Sequence, residues 1–297
     1  EDHQRVDLVG LEEHDRHAVH AVLEALAAGV PLVTTSVAGT EELTIKHPHA
    51  HVVPLDARPA VFADAIVSAL DGSHGRVRPA LALDFTASKM AERHADLFAR
   101  VLSTPNRPSS RRRGGLVLLT NNFGIGGAQS SARRLLLTLA AAGVPVRAIV
   151  LQEQAAYPTP GRIALTKAGI DVSSAPRAGD VDPLVSARAI AEAVDRSEPE
   201  ALLFWNVISQ HKVLLADLLL DTPIWDVSPG EMYFTSFDRY FARPRIGSPY
   251  LSTRDYGRRL AGVIVKYEAE RARAEEALGA PVAVVPNGVV VPPWVSD

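Results

Sequence analysis

Short apolar, β-rich runs alternate with amphipathic stretches along most of this chain, and that alternation admits few folds. Parallel strands cannot be joined by a tight hairpin. They need a long crossover, usually a helix, so strands alternating with helices of about 10 to 15 residues read as βαβ units. Such units build a Rossmann-like parallel sheet, whose ligands bind in the loops at the carboxyl ends of the strands. The fold class expected is therefore α/β. Strands are expected at Val6–Gly10, Val30–Thr35, Val52–Leu55, Leu116–Thr120, Val146–Leu151, Ala201–Trp205, Pro223–Trp225, Gly262–Val265 and Val282–Val285. Helical spacing of apolar residues predicts helices over His17–Gly29, Ala60–Leu70, Phe85–Leu102, Pro183–Asp195, Gln210–Leu220 and Glu268–Leu278, with one more running from the glycine loop after Thr120 to near Gly143.

The alternation is interrupted once. Ser103–Gly115 reads S-T-P-N-R-P-S-S-R-R-R-G-G, rich in proline, serine and charge and without periodicity, which marks a linker. The chain thus divides into a partial domain at 1–103, a linker at 104–113, a nearly complete domain at 114–290, and a short remainder at 291–297. Arg111–Arg113 could touch nucleic acid, but a basic run inside a linker is first of all a solvated one. A net charge of −3 gives no basic excess of the kind nucleic-acid binders carry. No apolar run approaches the roughly 20 residues of a membrane span. The absence of cysteine removes disulfides and thiol chemistry and fits a cytoplasmic setting, with peripheral membrane contact left open. The sequence starts at Glu1 and stops at Asp297 beside a proline-rich stretch, and it reads as a piece of a longer polypeptide.

Two stretches carry chemistry. In Ala18–Leu43 a helix bearing one carboxylate amid alanine and leucine leads through a Gly29-Val30-Pro31 turn into a buried strand and a small-residue turn. Glu24 there either faces water or meets hydroxyl partners, of which ribose offers two that one carboxylate can accept together. In Leu118–Arg134 a strand, a loop with Gly124, Gly126 and Gly127, and a helix N-terminus form a candidate phosphate cradle. The same glycines could serve only to let helix and strand pack closely. The loop is not a P-loop, and Gln129 stands where the third glycine of G-x-G-x-x-G belongs. His14, His17 and His20 fall three apart and two of them could share a helix face, but no local carboxylate is obviously placed to complete a metal shell.

Taken whole, the first stretch resembles the C-terminal domain of the retaining, GT-B-fold glycosyltransferases of family 4. There a helix of the form E-x7-E-A-x-A-x-G-x-P-V-V precedes a small turn and x-G-G-x-x-E. By that resemblance Glu24 would hold the nucleotide ribose. Glu42, with Gly39 and Thr40, would line the donor phosphate region. Arg16 stands where the family has its first glutamate, and Asp15 beside it is the nearest substitute. Asp84–Leu102 is similar to the family's terminal helix. Gly126-Gly127-Ala128-Gln129 followed by Gly143-Val144-Pro145-Val146 resembles the opening of its N-terminal domain, and Pro286-Asn287-Gly288-Val289 the hinge between domains. The resemblance further implies acceptor-side roles for Asp226 and Glu231, while His211 reads equally well as a surface residue. The family's R-x4-K-G pair, which neutralises the departing diphosphate, has no counterpart here.

The resemblance thus implies a tandem enzyme transferring a sugar, with retention, from a nucleotide-diphosphate sugar to a glycan or lipid-linked acceptor, with no further cofactor and no metal. This chain alone would be inactive or nearly so. Two other readings stay open: a non-catalytic sugar-nucleotide-binding or scaffolding module, suggested by Arg16, and a nicotinamide-dependent Rossmann-like enzyme, for which Glu153 lies close to the end of the second strand after the linker.

Overall fold

The computed structural model describes residues 21–36, 39–45, 47, 49–71, 84–102, 115–177, 180–227, 232–243 and 248–289. The expected strand Val6–Gly10, Asp15, Arg16, the histidine trio, most of the linker and Glu231 lie outside them. The chain forms two compact units, one of Glu1–Thr86 with Val289–Asp297 and the other of Ala87–Gly288.

In the first unit, residues 21–28 are helical (α1). Val22, Leu23, Leu26 and Ala27 form its buried stripe. Gly29 ends it with φ 67°, a left-handed conformation that glycine adopts without a Cβ penalty, and donates to Leu26 O at 3.1 Å. Then follow β1 (Leu32–Thr35), α2 (Thr40–Thr44), β2 (Ala50–Val53) and α3 (Pro59–Asp71). β1 and β2 pair in parallel, Leu32 opposite Ala50 through Thr35 opposite Val53. Val61, Ile66, Val67 and Leu70 of α3 are exposed. Val289 joins this unit by donating its N–H to Phe85 O at 2.7 Å.

The second unit is a three-layer α/β/α sandwich. Its helices are α4 (Ala87–Leu102), α5 (Gly127–Ala141), α6 (Pro160–Lys167), α7 (Pro183–Ser197), α8 (Ser209–Leu218), α9 (Met232–Phe241), α10 (Thr253–Arg259) and α11 (Arg271–Leu278). Its strands are β3 (Leu116–Thr120), β4 (Val146–Val150), β5 (Asp171–Ser174), β6 (Ala201–Trp205), β7 (Ile224–Val227), β8 (Gly262–Val265) and β9 (Val282–Val284), all parallel in the order β5-β4-β3-β6-β7-β8-β9. The central strands β3, β6, β7 and β8 are buried throughout, as expected of parallel strands covered on both faces. Period-two alternation sends Leu118, Leu203, Trp225 and Ile264 to the layer of α4 and α5, and Val117, Leu202, Ile224 and Val263 to the layer of α7, α8, α9, α10 and α11.

The helix expected over Phe85–Leu102 starts at Ala87 and packs within this second unit, against α5. Met90, His94 and Phe98 form its buried stripe, with Phe98 edge-on to Trp225 at 6.1 Å. Edge strand β5 has no counterpart among the expected strands, since only Val172 in it is buried. Arg162 of α6 pins it instead, donating to Val172 O and Ser174 Oγ, each at 2.7 Å. Among the described residues, no helix is long and apolar enough to cross a membrane.

Candidate functional site at the carboxyl edge of the seven-stranded sheet

β3 lies between β4 and β6, so the strand order reverses direction at its carboxyl end. Crevices of this kind are where open α/β sheets bind ligands. The chain leaves β3 at Thr120, passes through Asn121–Gly126 and enters α5 at Gly127. Gly126 is the N-cap at φ 156°, with no side-chain cap; a Cβ there would come within 2.3 Å of Gln129 Oε1, so Gln129 folds back over this glycine. The first intrahelical bond runs from Ser130 N to Gly126 O at 2.9 Å. The N–H groups ahead of it have no carbonyl within the helix to reach, and the helix dipole adds partial positive charge at the same place.

The loop is held rigidly. Gly124 N donates to Asn122 Oδ1 at 2.9 Å. Phe123 N donates to Glu153 Oε2 at 3.1 Å, while Glu153 Oε1 accepts from Thr159 N at 2.8 Å and Thr159 Oγ1 at 3.0 Å. Thr159 in turn caps α6, and a Cβ on Gly161 would lie 2.3 Å from Phe123 O, so only glycine permits this approach. Glu153 is nearly fully buried. A dinucleotide enzyme presents a carboxylate near the end of this second strand to the ribose. Here both carboxylate oxygens are engaged by the protein's own loops, which speaks against the nicotinamide reading. A cleft of about 620 Å³ opens beside them, lined by Asn122, Gln152, Glu153, Gln154, Tyr157, Thr159 and Arg177. Glu153→Ala should destabilise the protein by about 1 to 3 kcal/mol, because it leaves the buried Phe123 N–H and the half-buried Thr159 donors unpaired. A urea unfolding midpoint indistinguishable from the wild type would refute this role.

On the α4/α5 face, Trp205 at the end of β6 donates its indole N–H to Ala128 O in the first turn of α5 at 2.9 Å. Lys266, one residue past β8, places Nζ 4.2 Å from the centre of that indole. His94 of α4 packs against the same ring, with centroids 6.1 Å apart. Burial, reinforced by Lys266, pushes the His94 imidazole down to about 3, against the raising effect of the Met90 carbonyl. Burial likewise brings the Lys266 ammonium down to about 7, with Glu270 opposing.

Gly126, Gly127 and Gln129 therefore meet at this edge. Asp226 does not join them. Trp225 and Val227 face the α4/α5 layer, so Asp226 between them points to the other side of the sheet, where it is fully buried. Its Oδ1 accepts from Lys212 Nζ at 2.6 Å, and its Oδ2 from Tyr233 and Tyr256 hydroxyls at 2.6 Å each. That carboxylate is committed within the core, and its surroundings lend no support to an acceptor-side role. His211 is also buried, with Nε2 3.2 Å from Ser186 Oγ.

In the first unit, Glu24 lies on the exposed side of α1 rather than on an apolar surface, and Glu42 is exposed on α2. Gly39 caps α2 at φ 83°. Thr40 is buried and donates Oγ1 to Thr35 O at 2.6 Å, which ties α2 to the end of β1. Asp15 and Glu231 lie outside the described residues. Among the described residues, no group of three or more histidines and carboxylates is arranged to hold a metal ion.

The sequence pattern does not single out His94, Trp205 or Lys266. Trp205 and Lys266 carry one available signal, a position at the carboxyl end of an apolar strand; His94 carries none, since a histidine within an amphipathic helix reads as ordinary. No protein-family model and no curated protein matches this chain.

Proposed function

We propose that this chain is part of a nucleotide-sugar-dependent, retaining glycosyltransferase of the GT-B type, and that the carboxyl edge of its seven-stranded sheet receives phosphate-bearing ligand. The observation that carries the reading is the glycine-led N-terminus of α5, opening where the strand order reverses between β3 and β6. Backbone N–H groups and the helix dipole there favour an anion. In the first unit, a helix, a Gly-Val-Pro turn and a parallel strand in succession support a nucleotide-binding half.

In this reading Glu24 accepts two ribose hydroxyls in the first unit, while the first turn of α5 serves the separate cleft of the second. Stabilising charge on the departing diphosphate is the main catalytic term in such a reaction. The basic pair that supplies it in the resembling family has no counterpart in this sequence, so the expected behaviour of the chain is binding without transfer.

Calorimetric titration of UDP-glucose and GDP-mannose into the 297-residue chain tests the reading. One of them should bind in the micromolar range, and Glu24→Ala should weaken binding by about tenfold or more, the loss expected for hydrogen bonds to a charged group. Binding that survives the substitution would move the donor site to the glycine loop of the second unit. Absence of binding by either nucleotide sugar would overturn the proposal.

A further inference from the structure

Buried polar groups in folded proteins nearly always find hydrogen-bond partners. On the α4/α5 face of the second unit several do not among the described residues, and three of these adjoin Trp205. Lys266 is 6% exposed, and its Nζ has no hydrogen-bond partner among the described residues. Fully buried His94 satisfies Nδ1 on Met90 O at 2.8 Å but leaves Nε2 unpaired. Thr120, also fully buried, leaves Oγ1 unpaired. These residues converge. Thr120 is the register partner of Trp205, and the rings of Trp205 and His94 pack together. Lys266 lies over the Trp205 face, while the indole N–H is spent on Ala128 in the first turn of α5. An ammonium on an aromatic face gains something from the ring quadrupole, but that leaves its three N–H donors unused.

We propose that Lys266, together with Thr120 and the first turn of α5, binds one oxyanion, a phosphate or carboxylate group of the ligand that occupies this edge of the sheet. The site takes from the preceding section only that this edge binds an anionic ligand, and does not depend on a sugar or on its transfer. An oxyanion has lone pairs for the Lys266 ammonium, the Thr120 hydroxyl and the α5 backbone N–H groups at once. The four-carbon stem of lysine lets Nζ swing from the indole toward the helix terminus. His94 on α4 and Glu270, whose Oε2 accepts from Lys266 N at 3.1 Å, are the titratable groups facing the lysine. Burial disfavours the charge of the lysine and Glu270 favours it, while His94 stays neutral. The arriving anion adds a stronger favourable charge, so binding draws a proton onto Lys266.

Inorganic pyrophosphate, citrate and UDP are the probes, titrated calorimetrically into the wild-type chain and Lys266→Met at pH 8, in two buffers of different ionisation enthalpy. The expected result is wild-type binding of at least one probe with uptake approaching one proton. In Lys266→Met the affinity falls about tenfold or more and the proton uptake disappears. The substitution removes an unsatisfied buried amine while retaining its volume, so the far-UV spectrum should hold and the unfolding midpoint should not fall. The proton uptake of the wild type decides the matter even if the variant misfolds. Pyrophosphate or citrate binding without UDP binding would support this site while counting against the nucleotide-sugar reading. Binding of no probe, equal affinity in Lys266→Met, or binding without proton uptake would overturn it.

Discussion

Asp226→Ala should destabilise the second unit by about 3 to 5 kcal/mol, the range for removing one partner of a buried ion pair. The carboxylate joins three helices to β7: Lys212 of α8, Tyr233 of α9 and Tyr256 of α10 all donate to it. Lys212 is also enclosed by rings, 4.4 Å from the centre of Tyr233 and 5.6 Å from that of Phe237. Burial lowers the Lys212 pKa, and Asp226 is what opposes that shift. Burial, then Asp226, raises both tyrosines well above their ordinary value, so they remain hydroxyl donors. Without the carboxylate, a buried ammonium and two buried hydroxyls lose the acceptor they share. Lys212→Met should recover part of the loss when combined with Asp226→Ala, because the double variant leaves no unpaired charge. Urea unfolding of the four proteins in the cycle measures this. A loss below about 1 kcal/mol in Asp226→Ala would refute the anchoring role.

Acid should weaken the wild type more than a variant lacking His94. The folded pKa of His94 is about 3, below the ordinary 6.5, so the unfolded chain binds its proton first as pH falls. The contribution is fully present above pH 6.5 and is lost progressively as the pH falls toward 3. Between pH 7 and pH 4 the wild type should lose about 3 kcal/mol relative to His94→Leu, from 1.36 kcal/mol per pH unit across the window. Lys266 acts in a different window. Its folded pKa is lowered toward 7, so the unfolded chain holds the extra proton between about 7 and 10.5, and stability rises with pH there. The two effects separate cleanly in urea unfolding series from pH 4 to 10. Parallel stability profiles for the wild type and His94→Leu below pH 7 would show that the imidazole charges without disturbing the core.

Much of the fold was legible in the sequence wherever burial leaves a periodic trace. Leu116–Thr120, Ala201–Trp205 and Gly262–Val265 are strands with the bounds that apolar runs predict, because central parallel strands are covered on both faces. The trace fails at the edges. In β5 only Val172 is buried, and the strand is held by Arg162, a contact with no sequence period. It fails again in short helices: α6 rests on a Thr159 cap and a Gly161 approach that only the folded loop reveals.

The glycine loop was legible as a candidate anion cradle because a strand, glycines and a helix start fall in immediate succession. Alternation along a strand then separated what sequence had grouped. Asp226 sits at a strand-end position by count, yet its neighbours Trp225 and Val227 face α4 and α5, so its own side chain goes to the opposite layer. The converse holds for His94, Trp205 and Lys266, far apart in sequence and brought to one face by parallel pairing and the docking of α4. The sequence by itself determined the α/β class, the strand–helix order and the glycine-led helix terminus, since those depend on local spacing. Which polar groups are buried, which of them find partners, and which lie together at the carboxyl edge was decided only by the tertiary structure, because burial and pairing are properties of contacts between distant segments.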